Sequence, residues 1–352
     1  MCGIAGVFGQ AVGPSPLEVM VGCQRHRGPD AFGMWTSPSG LAALGHRRLS
    51  ILDLSDAGRQ PMASDDSRYQ ITFNGEIYNY IELRNALGGM ELFRTRTDTE
   101  VLLAAFARWN SACLDRLIGM FAFAVWDEWN QTLFAARDRF GVKPLYYYEP
   151  PRGGLWIASE IKALHAAGVP LEPDEGTWAT YLASGLYDHD DWTFWKGVRR
   201  LPPGGCLSWS PNGGLAVRTW YDPADAVLAR TGGPSSEFRA GDELLGLLEE
   251  SVRLRFRSDV PVGLCLSGGL DSSLLLGLVR QVLGPGAHVE TFTFDCGDAA
   301  YDETPWVQTM LRDARCPGHF AGSQPATFPD WRHGCRRFKT SRSAACPHSE
   351  WP

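Results

Sequence analysis

The sequence predicts two domains, an α+β domain rich in strands followed by an α/β domain built on a parallel sheet. Two observations lead to this division. In the first half, short apolar runs with strand character alternate with turns around one clearly helical segment. In the second half, a strand-like run enters a glycine-rich turn and a helix, and another strand-like run follows. With 352 residues, 44% of them hydrophobic and 21% charged, the chain can form two ordinary cores.

The first domain is predicted to cover residues 1–221. Its clearest strands fall at residues 69–73, 121–126 and 131–136. A helix is expected over residues 99–109, because several apolar side chains share one face there: Val101, Leu102, Ala105 and Phe106. Residues 158–164 predict a further helix, with Ser159 as its N-terminal cap.

The linker is predicted at residues 222–241, where Ala, Gly, Pro, Ser and Asp dominate without sustained periodicity. The second domain is expected at residues 242–352. Its first helix starts near Asp242 and turns one apolar face inward: Leu244, Leu245, Leu247, Leu248 and Val252. A strand-like run at 262–266 and a parallel strand at 291–294 follow.

Composition argues against several classes of partner. The net charge of −7 disfavours nucleic acid, because a polyanion-binding face needs clustered Lys and Arg. No apolar stretch approaches the roughly 20 residues that span a bilayer, and a cleaved export signal would take Cys2 away from the terminus. The nine cysteines are scattered without Cys-x-x-Cys pairs, as is typical of reduced thiols. We therefore expect a cytoplasmic protein that binds neither nucleic acid nor membrane.

Cys2 is the most informative single residue of the chain. Once Met1 is removed, a thiol and a free α-amino group share one carbon. The thiol titrates near about 8.5 and the amine near about 8, so the amine can take the thiol proton directly or through one water. Cys2 is thus a candidate nucleophile that needs no histidine. Alternatively, Cys2 is an ordinary small residue at the start of a strand; lipid modification is disfavoured because no export segment precedes it.

Three further clusters follow Cys2 in order: residues 25–30 (RHRGPD), 46–51 (HRRLSI) and 74–79 (NGEIYN). Together with Cys2 they resemble the glutaminase half of the class II glutamine amidotransferases, most closely the glutamine-hydrolysing asparagine synthetases. Residues 137–147 and 158–164 match the same family. The resemblance implies that the first domain is the four-layer αββα sandwich of the N-terminal-nucleophile hydrolases.

The resemblance also implies roles for residues of the first domain. Arg48 matches the residue that grips the α-carboxylate of glutamine, a task that suits the planar guanidinium. Glu76 and Asp98 match the carboxylates that hold the substrate ammonium. Asn74 and the N–H of Gly75 match the oxyanion hole, in which one donor lowers the barrier by about 3–4 kcal/mol.

Simpler interpretations of these clusters stay open. Asn74-Gly75 after a strand is a strong signal for a hairpin turn. Residues 25–27 can form a solvated basic face before a Gly-Pro turn. No catalytic step is assigned to His26 or His46, because a mechanism that uses the terminal amine needs no imidazole.

Residues 267–273 (SGGLDSS) carry a second chemical signature. They lie between an apolar run and a helix, where unpaired N–H groups and the helix dipole bind phosphate oxygens. The pattern resembles the pyrophosphate loop of enzymes that adenylate a carboxylate, and it lacks the Gly-Lys of a Walker A loop. This resemblance implies that Asp271 helps to hold Mg²⁺; a flexible turn is the alternative. Pyrophosphate would be cradled by Ser267, Gly268, Gly269, Ser272 and Ser273.

The resemblance stops near Ala321, although the family pattern continues well beyond that point. Residues 330–352 show neither strand alternation nor helical spacing. They are interpreted as the product of a truncated or shifted reading frame, which would leave the synthetase half incomplete. Four residues of the tail fit no zinc spacing: His333, Cys335, Cys346 and His348.

These observations predict a glutamine-dependent, amide-forming ligase similar to asparagine synthetase. Glutamine hydrolysis would supply ammonia to an acceptor carboxylate, aspartate or a related one, that has been adenylated with ATP. ATP and Mg²⁺ enter as a substrate complex, no prosthetic group is expected, and the chain could form a homodimer. Two alternatives stay open: a glutaminase-only or catalytically incomplete member of the family, and a specialised amide- or ring-forming ligase.

Overall fold

The computed structural model describes residues 1–9, 14–187, 189–229, 237–284, 286–295, 297–298 and 301–322. These residues divide into two compact units, one within residues 1–229 and the other within residues 237–322. The tail at 330–352, with the His and Cys residues discussed above, lies outside the described residues. No helix in the described part of the chain is long and apolar enough to cross a membrane.

The first unit contains both strands and helices. Its strands are β1 Gly3–Phe8, β2 Ala31–Thr36, β3 Ala42–Arg48, β4 Met62–Ala63, β5 Tyr69–Ile77, β6 Gly119–Asp127, β7 Thr132–Arg137, β8 Tyr146–Tyr148, β9 Leu155–Ala158, β10 Val198–Arg200, β11 Gly205–Ser210 and β12 Gly214–Thr219. Its α-helices are α1 Pro14–Cys23, α2 Tyr80–Ala86, α3 Asp98–Trp109, α4 Ile161–Ala166, α5 Glu175–Ser184 and α6 Pro223–Leu228. Short 3-10 helices cover Arg25–Arg27, Asp56–Gly58, Met90–Leu92 and Asn110–Arg116.

The strands of the first unit form two six-stranded antiparallel sheets. One sheet has the order β10-β8-β9-β1-β3-β2 and the other has the order β12-β11-β7-β6-β5-β4. In the first sheet, β1 pairs with both β3 and β9. In the second sheet, β5 pairs with β6, so that Asn74 lies opposite Ala122 and Gly75 lies opposite Phe121. Strand β1 is thus held by a strand on either side, and the Asn74-Gly75 segment of β5 is held by β6.

Three apolar layers hold the two sheets and their helices together. The layer between the sheets contains Phe8 and Trp126, whose stacked rings lie 5.8 Å apart between centroids. The second sheet packs its other face against α3 through residues such as Leu102 and Phe106. The first sheet packs its other face against α1 and α4, with Leu164 among the buried side chains. The order helix, sheet, sheet, helix confirms the predicted αββα sandwich.

The element predictions for the first domain are mostly confirmed. The strands expected at 69–73, 121–126 and 131–136 correspond to β5, β6 and β7, and the helix expected at 99–109 corresponds to α3. The hairpin turn at Asn74-Gly75 is wrong, because both residues lie inside β5 and pair with β6. A β-carbon at Gly75 would lie 2.2 Å from the carbonyl oxygen of Met120. Glycine is present there for close approach of two strands, not for a turn.

The predicted helix cap at Ser159 is also wrong. Helix α4 begins at Ile161, and its N-cap residue is Glu160, which makes no side-chain capping bond. The Ser159 Oγ instead accepts the N–H of Ile4 at 3.0 Å. The serine satisfies a main-chain donor of β1 beyond the paired stretch of β9, and this tertiary contact was not visible in the local pattern.

The second unit is a small α/β assembly. It contains α7 Glu237–Arg255, β13 Gly263–Cys265, α8 Leu270–Leu283, β14 Glu290–Asp295, α9 Thr304–Ala314 and β15 Gly318–Gly322. The three strands form a parallel sheet in the order β13-β14-β15. The strand, glycine-rich turn, helix and parallel strand expected from the sequence are confirmed.

The predicted linker contains more helix than expected. Helix α6 lies at its start, where Pro223 occupies the first turn and Asp222 Oδ1 accepts the Ala224 N–H at 2.7 Å. This combination of an aspartate cap and an N-terminal proline is a helix-start signal. Helix α7 begins at Glu237, five residues before the expected start at Asp242. The composition of the segment hid both helix ends; residues 230–236 lie outside the described part of the chain.

Candidate active site

A cavity of about 170 Å³ lies in the first unit, next to the start of β1 and the second half of β5. All the site residues predicted for the first domain line it: Cys2, Arg48, Asn74, Gly75, Glu76 and Asp98. These residues come from four segments that are far apart in sequence. Pairing of β1 with β3 brings the first two segments together, hydrogen bonds between β3 and β5 hold the third beside them, and α3 supplies Asp98 at its first residue.

The Cys2 thiol is partly buried at the wall of the cavity. Its Sγ accepts the Leu49 N–H at 3.4 Å, and the Cys2 carbonyl oxygen accepts a bond from Arg27 Nε at 2.8 Å. Burial raises the pKa of the Cys2 thiol, while the Leu49 N–H and the nearby amino group act to lower it. Burial also lowers the pKa of the amino group of Met1. A lowered pKa increases the share of the neutral amine, which is the form that can accept a proton.

Asn74 presents an unsatisfied amide to the cavity. Its side chain is 1% exposed, yet neither Nδ2 nor Oδ1 has a hydrogen-bond partner among the residues that the structure describes. A buried amide left unpaired costs about 1–3 kcal/mol. The site is therefore ready for a ligand that offers an acceptor to this amide.

Two carboxylates, those of Glu76 and Asp98, also line the cavity. Asp98 is 6% exposed, and its Oδ2 accepts the Ile77 N–H at 2.9 Å. Burial raises the pKa of Asp98 to about 7, and the nearby Glu76 carboxylate acts in the same direction. A ligand cation placed beside these two groups would favour the ionised form of Asp98.

Arg48 lies in the cavity wall with much of its hydrogen-bonding capacity already used. Nη1 donates to the Ser55 carbonyl at 2.7 Å, and Nη2 donates to the carbonyls of Leu52, at 3.2 Å, and Asp53. Both hydrogens of Nη2 are thus engaged. A two-bond grip on a carboxylate uses Nη2 together with Nη1 or Nε. In this conformation Arg48 can offer a carboxylate single hydrogen bonds from Nε or Nη1, and a paired grip requires the 52–55 segment to move.

A charged cluster supports the main chain at Cys2. Arg27 pairs with Glu160 at 3.0 Å, and the same carboxylate contacts His26 at 2.9 Å and Lys162 at 3.0 Å. Burial alone would raise the pKa of Glu160, but the hydrogen bond from His26 and the charge of Arg27 hold it at about 2. The interpretation of residues 25–27 as a solvated basic face is wrong for Arg27, whose side chain is 5% exposed.

His46 lies behind the site without reaching the cavity. Its ring is buried, and Nε2 lies 2.9 Å from the Phe73 carbonyl oxygen, so that a neutral ring donates to β5. Burial lowers the pKa of His46 to about 4. The neutral imidazole therefore links β3 to β5 and helps to hold the strand that carries Asn74.

Sequence reasoning missed several residues that line the same cavity: Gln60, Thr97, Thr99, Met120 and Lys143. Gln60 fixes β5 and α3 together, since its Oε1 accepts the Phe73 N–H at 2.7 Å and its Nε2 donates to Thr99 Oγ1 at 3.1 Å. No local pattern marks such a residue. Lys143 lay within a matching run, 137–147, but a single lysine before a proline gave no reason to assign it a function.

The glycine-rich loop of the second unit lies between β13 and α8. Gly268 has a φ of +79°, a conformation that favours glycine. Ser272 Oγ accepts the Ser267 N–H at 3.3 Å and contacts the Ser267 hydroxyl at 3.1 Å. Asp271 and Ser273 belong to the first turn of α8, whose N-cap residue is Gly269. Hydroxyls and a helix N-terminus are thus gathered at one place, as phosphate binding requires.

Comparison with known families agrees with this arrangement. The family model described as glutamine amidotransferase domain matches residues 1–221. The family model described as asparagine synthase matches residues 243–329.

Similar proteins include asparagine synthetase [glutamine-hydrolyzing] 1 of Bacillus subtilis (strain 168), 36% identical over 84% of this chain and 46% of the relative. Asparagine synthetase B [glutamine-hydrolyzing] of Escherichia coli (strain K12) is 35% identical over 80% of this chain and 45% of the relative. The protein named amidase chry2 from Gibberella zeae is 37% identical over 77% of this chain and 39% of the relative. The chain therefore spans less than half the length of each of these relatives.

Two solved structures have a similar fold. Glutamine phosphoribosylpyrophosphate (PRPP) amidotransferase from B. subtilis, complexed with ADP and GMP, gives a TM-score of 0.50 at 15% identity, over 91% of this chain and 90% of that one. A structure described as the allosteric regulatory enzyme of purine biosynthesis also gives a TM-score of 0.50, at 16% identity, over 92% of this chain and 81% of that one. At these identities the likeness concerns the fold.

Proposed function

The chain belongs to the family of glutamine amidotransferase domains, and from that premise we propose that its first unit hydrolyses glutamine with Cys2 as the nucleophile. The observation that carries the proposal is that a thiol, Cys2, and a buried amide without a hydrogen-bond partner, Asn74, line the same cavity. Cys2 can attack a carboxamide carbon, and Asn74 can donate to the oxygen of that carboxamide. In the described part of the chain the Asn74 amide has no hydrogen-bond partner, and the Cys2 thiol contacts the main chain of Leu49.

In the proposed reaction, removal of Met1 first frees the α-amine of Cys2. The amine accepts the proton of Sγ, and the thiolate attacks the side-chain carbonyl carbon of glutamine. Negative charge then develops on the carbonyl oxygen, where Asn74 Nδ2 and the Gly75 N–H donate to it. The tetrahedral intermediate collapses, the protonated amine gives its proton to the leaving nitrogen, and ammonia departs. Water then hydrolyses the thioester to release glutamate.

Recognition of the free amino acid follows from the charges of the cavity. The substrate ammonium lies beside Asp98 and Glu76, where it neutralises two nearby carboxylates. The substrate α-carboxylate lies beside Arg48, which binds it through a single hydrogen bond from Nε or Nη1 or, after the 52–55 segment moves, through a paired grip. An amide without both charges would bind weakly, so the site favours a free amino acid with a side-chain amide, such as glutamine.

For the second unit we propose binding of the pyrophosphate part of ATP at residues 267–273. The asparagine synthase match supports this assignment, and so does the cluster of hydroxyls at the start of α8. Mg²⁺ fits there through Asp271 together with phosphate oxygens, which is its usual mode of binding. When bound, the ion neutralises charge on the phosphates. Ser267, Gly268, Gly269, Ser272 and Ser273 then surround the pyrophosphate.

The two units together suit a glutamine-dependent, amide-forming ligase, in which ammonia amidates a carboxylate activated with ATP. Aspartate is the proposed acceptor because two of the similar proteins are named asparagine synthetases. The similarity to a protein named as an amidase favours a second candidate, a related ligase with another acceptor. Supplying aspartate, ATP, Mg²⁺ and ammonium, and following asparagine and pyrophosphate, distinguishes the two.

The test of the glutaminase proposal measures glutamate and ammonia released from glutamine by the chain without Met1. We expect steady hydrolysis by the wild type and loss of all enzymatic hydrolysis in Cys2→Ala, because the covalent step has no substitute. Cys265→Ala is the matched control, since it removes an exposed thiol of the second unit. Equal hydrolysis by wild type and Cys2→Ala would show that another group does the chemistry.

The test of the second unit titrates the full chain with magnesium pyrophosphate and measures heat of binding. Ser267→Ala combined with Asp271→Asn should weaken binding at least tenfold, because each lost ionic or charge-assisted contact contributes about 1.5–3 kcal/mol. Thr309→Ala, on the exposed face of α9, should bind as the wild type does. Unchanged affinity in the double variant would remove this loop from the ATP site.

A further inference from the structure

A buried lysine in the same cavity takes no part in the reaction described above. Lys143 lines the cavity together with Cys2 and Glu76, and only 5% of Lys143 is exposed. Within the described ranges of the chain, its ammonium makes no hydrogen bond and no ion pair. Burying an ammonium without a partner is costly, so a lysine that served only to fill space would be a poor choice here.

The loop that carries Lys143 is held in place from one side by Arg137. This residue ends β7, and its guanidinium donates to three main-chain carbonyls. Nε donates to Lys143 at 2.7 Å, Nη1 to Leu201 at 2.7 Å and Nη2 to Gly141 at 2.5 Å. Two of these charge-assisted bonds fix the backbone of the loop, and the third ties Arg137 to Leu201.

Asp138 holds the same loop from the other side. Its Oδ1 accepts the N–H groups of Phe140 at 3.1 Å and Val142 at 2.9 Å. Its Oδ2 accepts the N–H of Lys143 at 3.0 Å and that of Phe121, in β6, at 3.1 Å. Two buried charged side chains thus organise a short loop whose only cavity-lining residue is Lys143.

The charges around Lys143 and Cys2 define what this ammonium can do. Burial lowers the pKa of Lys143, the Glu76 carboxylate raises it, Arg27 lowers it, and Cys2 and Asp138 raise it. Facing the thiol are the terminal amino group, Asp98 and Lys143. Of these groups, Lys143 is the cationic side chain, and it lines the cavity together with Cys2 and Glu76.

We propose that the Lys143 ammonium stabilises the Cys2 thiolate and so activates the nucleophile of this site. The proton of Sγ passes to the α-amine, no proton leaves Lys143, and the negative sulfur stays within the field of the ammonium. That this effect speeds catalysis rests on the proposed glutaminase function. The effect on the thiol itself can be measured without glutamine.

The competing interpretation makes Lys143 a counter-ion of Glu76. In that case removal of the ammonium would destabilise the ionised form of the Glu76 carboxylate and would weaken glutamine binding. It would leave the titration of the Cys2 thiol nearly unchanged. The two interpretations therefore differ in the pH dependence of thiol reactivity.

The experiment measures the rate at which iodoacetamide alkylates Cys2 between pH 5.5 and pH 10, with the labelled site quantified by peptide mass spectrometry. The chain lacking Met1 is compared with Lys143→Met, which keeps a stem of similar length, and with Lys143→Arg, which keeps the charge. Lys196→Met is the matched control, because Lys196 is exposed, pairs with Glu172 and does not line the cavity.

In Lys143→Met the apparent pKa of Cys2 should rise by about one unit, as expected when a neighbouring opposite charge is removed. The alkylation rate at pH 7 should fall about tenfold, because one unit changes the thiolate fraction tenfold. Lys143→Arg should restore most of the rate, and Lys196→Met should match the wild type. An unchanged pKa in a folded Lys143→Met variant overturns the proposal, even if its KM for glutamine is raised.

A reciprocal measurement covers the case in which Lys143→Met does not fold. Because coupling between two sites is mutual, loss of the thiolate in Cys2→Ala must lower the pKa of Lys143 by the same amount. Amine-labelling rates of Lys143 across pH report that value in wild type and in Cys2→Ala. Identical profiles contradict the proposal. A wild type that shows the coupling yet hydrolyses no glutamine would keep the inference and refute the proposed function instead.

Discussion

Replacing Asp98 with asparagine should stabilise the fold at pH 8 while abolishing glutamine binding. Asp98 is buried at the first residue of α3, and burial raises its pKa from 3.8 to about 7. A carboxyl group whose folded pKa is raised contributes stability below pH 3.8 and loses that stability as pH rises through about 7. Above pH 7 the ionised carboxylate therefore lowers the free energy of unfolding of the ligand-free protein, and a neutral amide avoids this loss.

The size of the effect follows from the shift. One pKa unit corresponds to about 1.4 kcal/mol, so a shift of roughly three units gives about 4 kcal/mol above pH 7. Loss of a negative charge from the first turn of α3 offsets about 0.3–1 kcal/mol of this gain. Asparagine keeps an oxygen that can accept the Ile77 N–H. The net stabilisation by Asp98→Asn should therefore be about 3 kcal/mol at pH 8.

Urea denaturation of the ligand-free chain at pH 5 and pH 8 measures this effect. The stability difference between Asp98→Asn and wild type should grow by about 2–3 kcal/mol between these values, because the wild type ionises in this interval. Asp225→Asn, on the exposed α6, should show no such growth. A difference that is independent of pH, or a variant less stable than wild type at pH 8, would refute the reasoning.

The remaining predictions concern the substrate and the support of the nucleophile. In wild type, kcat/KM for glutamine should rise with pH through about 7, because the free enzyme must ionise Asp98 to bind an ammonium; a flat profile from pH 6 to pH 8 would contradict this. Arg48→Lys should raise KM for glutamine about tenfold or more with little change in kcat, since lysine loses the planar fork; an unchanged KM would remove Arg48 from substrate binding. Asn74→Ala should lower kcat about 10²–10³-fold with a small change in KM, as for loss of an oxyanion donor; a pure KM effect would argue against that role. Glu160→Gln should cost about 2–3 kcal/mol of stability at pH 7, because a pKa held at about 2 gives stability that is present above pH 4.5 and is lost as pH falls through about 2; equal urea midpoints at pH 7 would show that the cluster contributes nothing.

Ordered motifs made the site of the first unit predictable, although no motif specified its geometry. Cys2, Asn74 and Asp98 were identified because their residue types and order match a known constellation, and the structure brings them to one cavity. Their roles stay proposals. The local signal at Asn74-Gly75 pointed to a turn, and the pairing of β5 with β6 overrode it.

Contacts between distant segments were the main limit of prediction from sequence. Ser159 looked like a helix cap, but its hydroxyl is used by Ile4, which lies 155 residues earlier in the chain. Arg48 looked like a free substrate clamp, but the carbonyls of residues 52–55 occupy much of its guanidinium. Lys143 gave no signal, because what marks it is burial without a partner, and burial is a property of the fold.

The central claim is that Cys2 and its own α-amine form the nucleophile and base of a glutamine site. Its most direct test exposes the chain to an electrophilic glutamine analogue and maps the label by peptide mass spectrometry, with and without removal of Met1. The chain lacking Met1 should carry one label, on Cys2, and excess glutamine should protect it. A chain with an uncleavable N-terminal extension should react about 10²–10⁴-fold more slowly, because the base is then blocked. Equal labelling of both forms, or a label on another cysteine, would contradict the account.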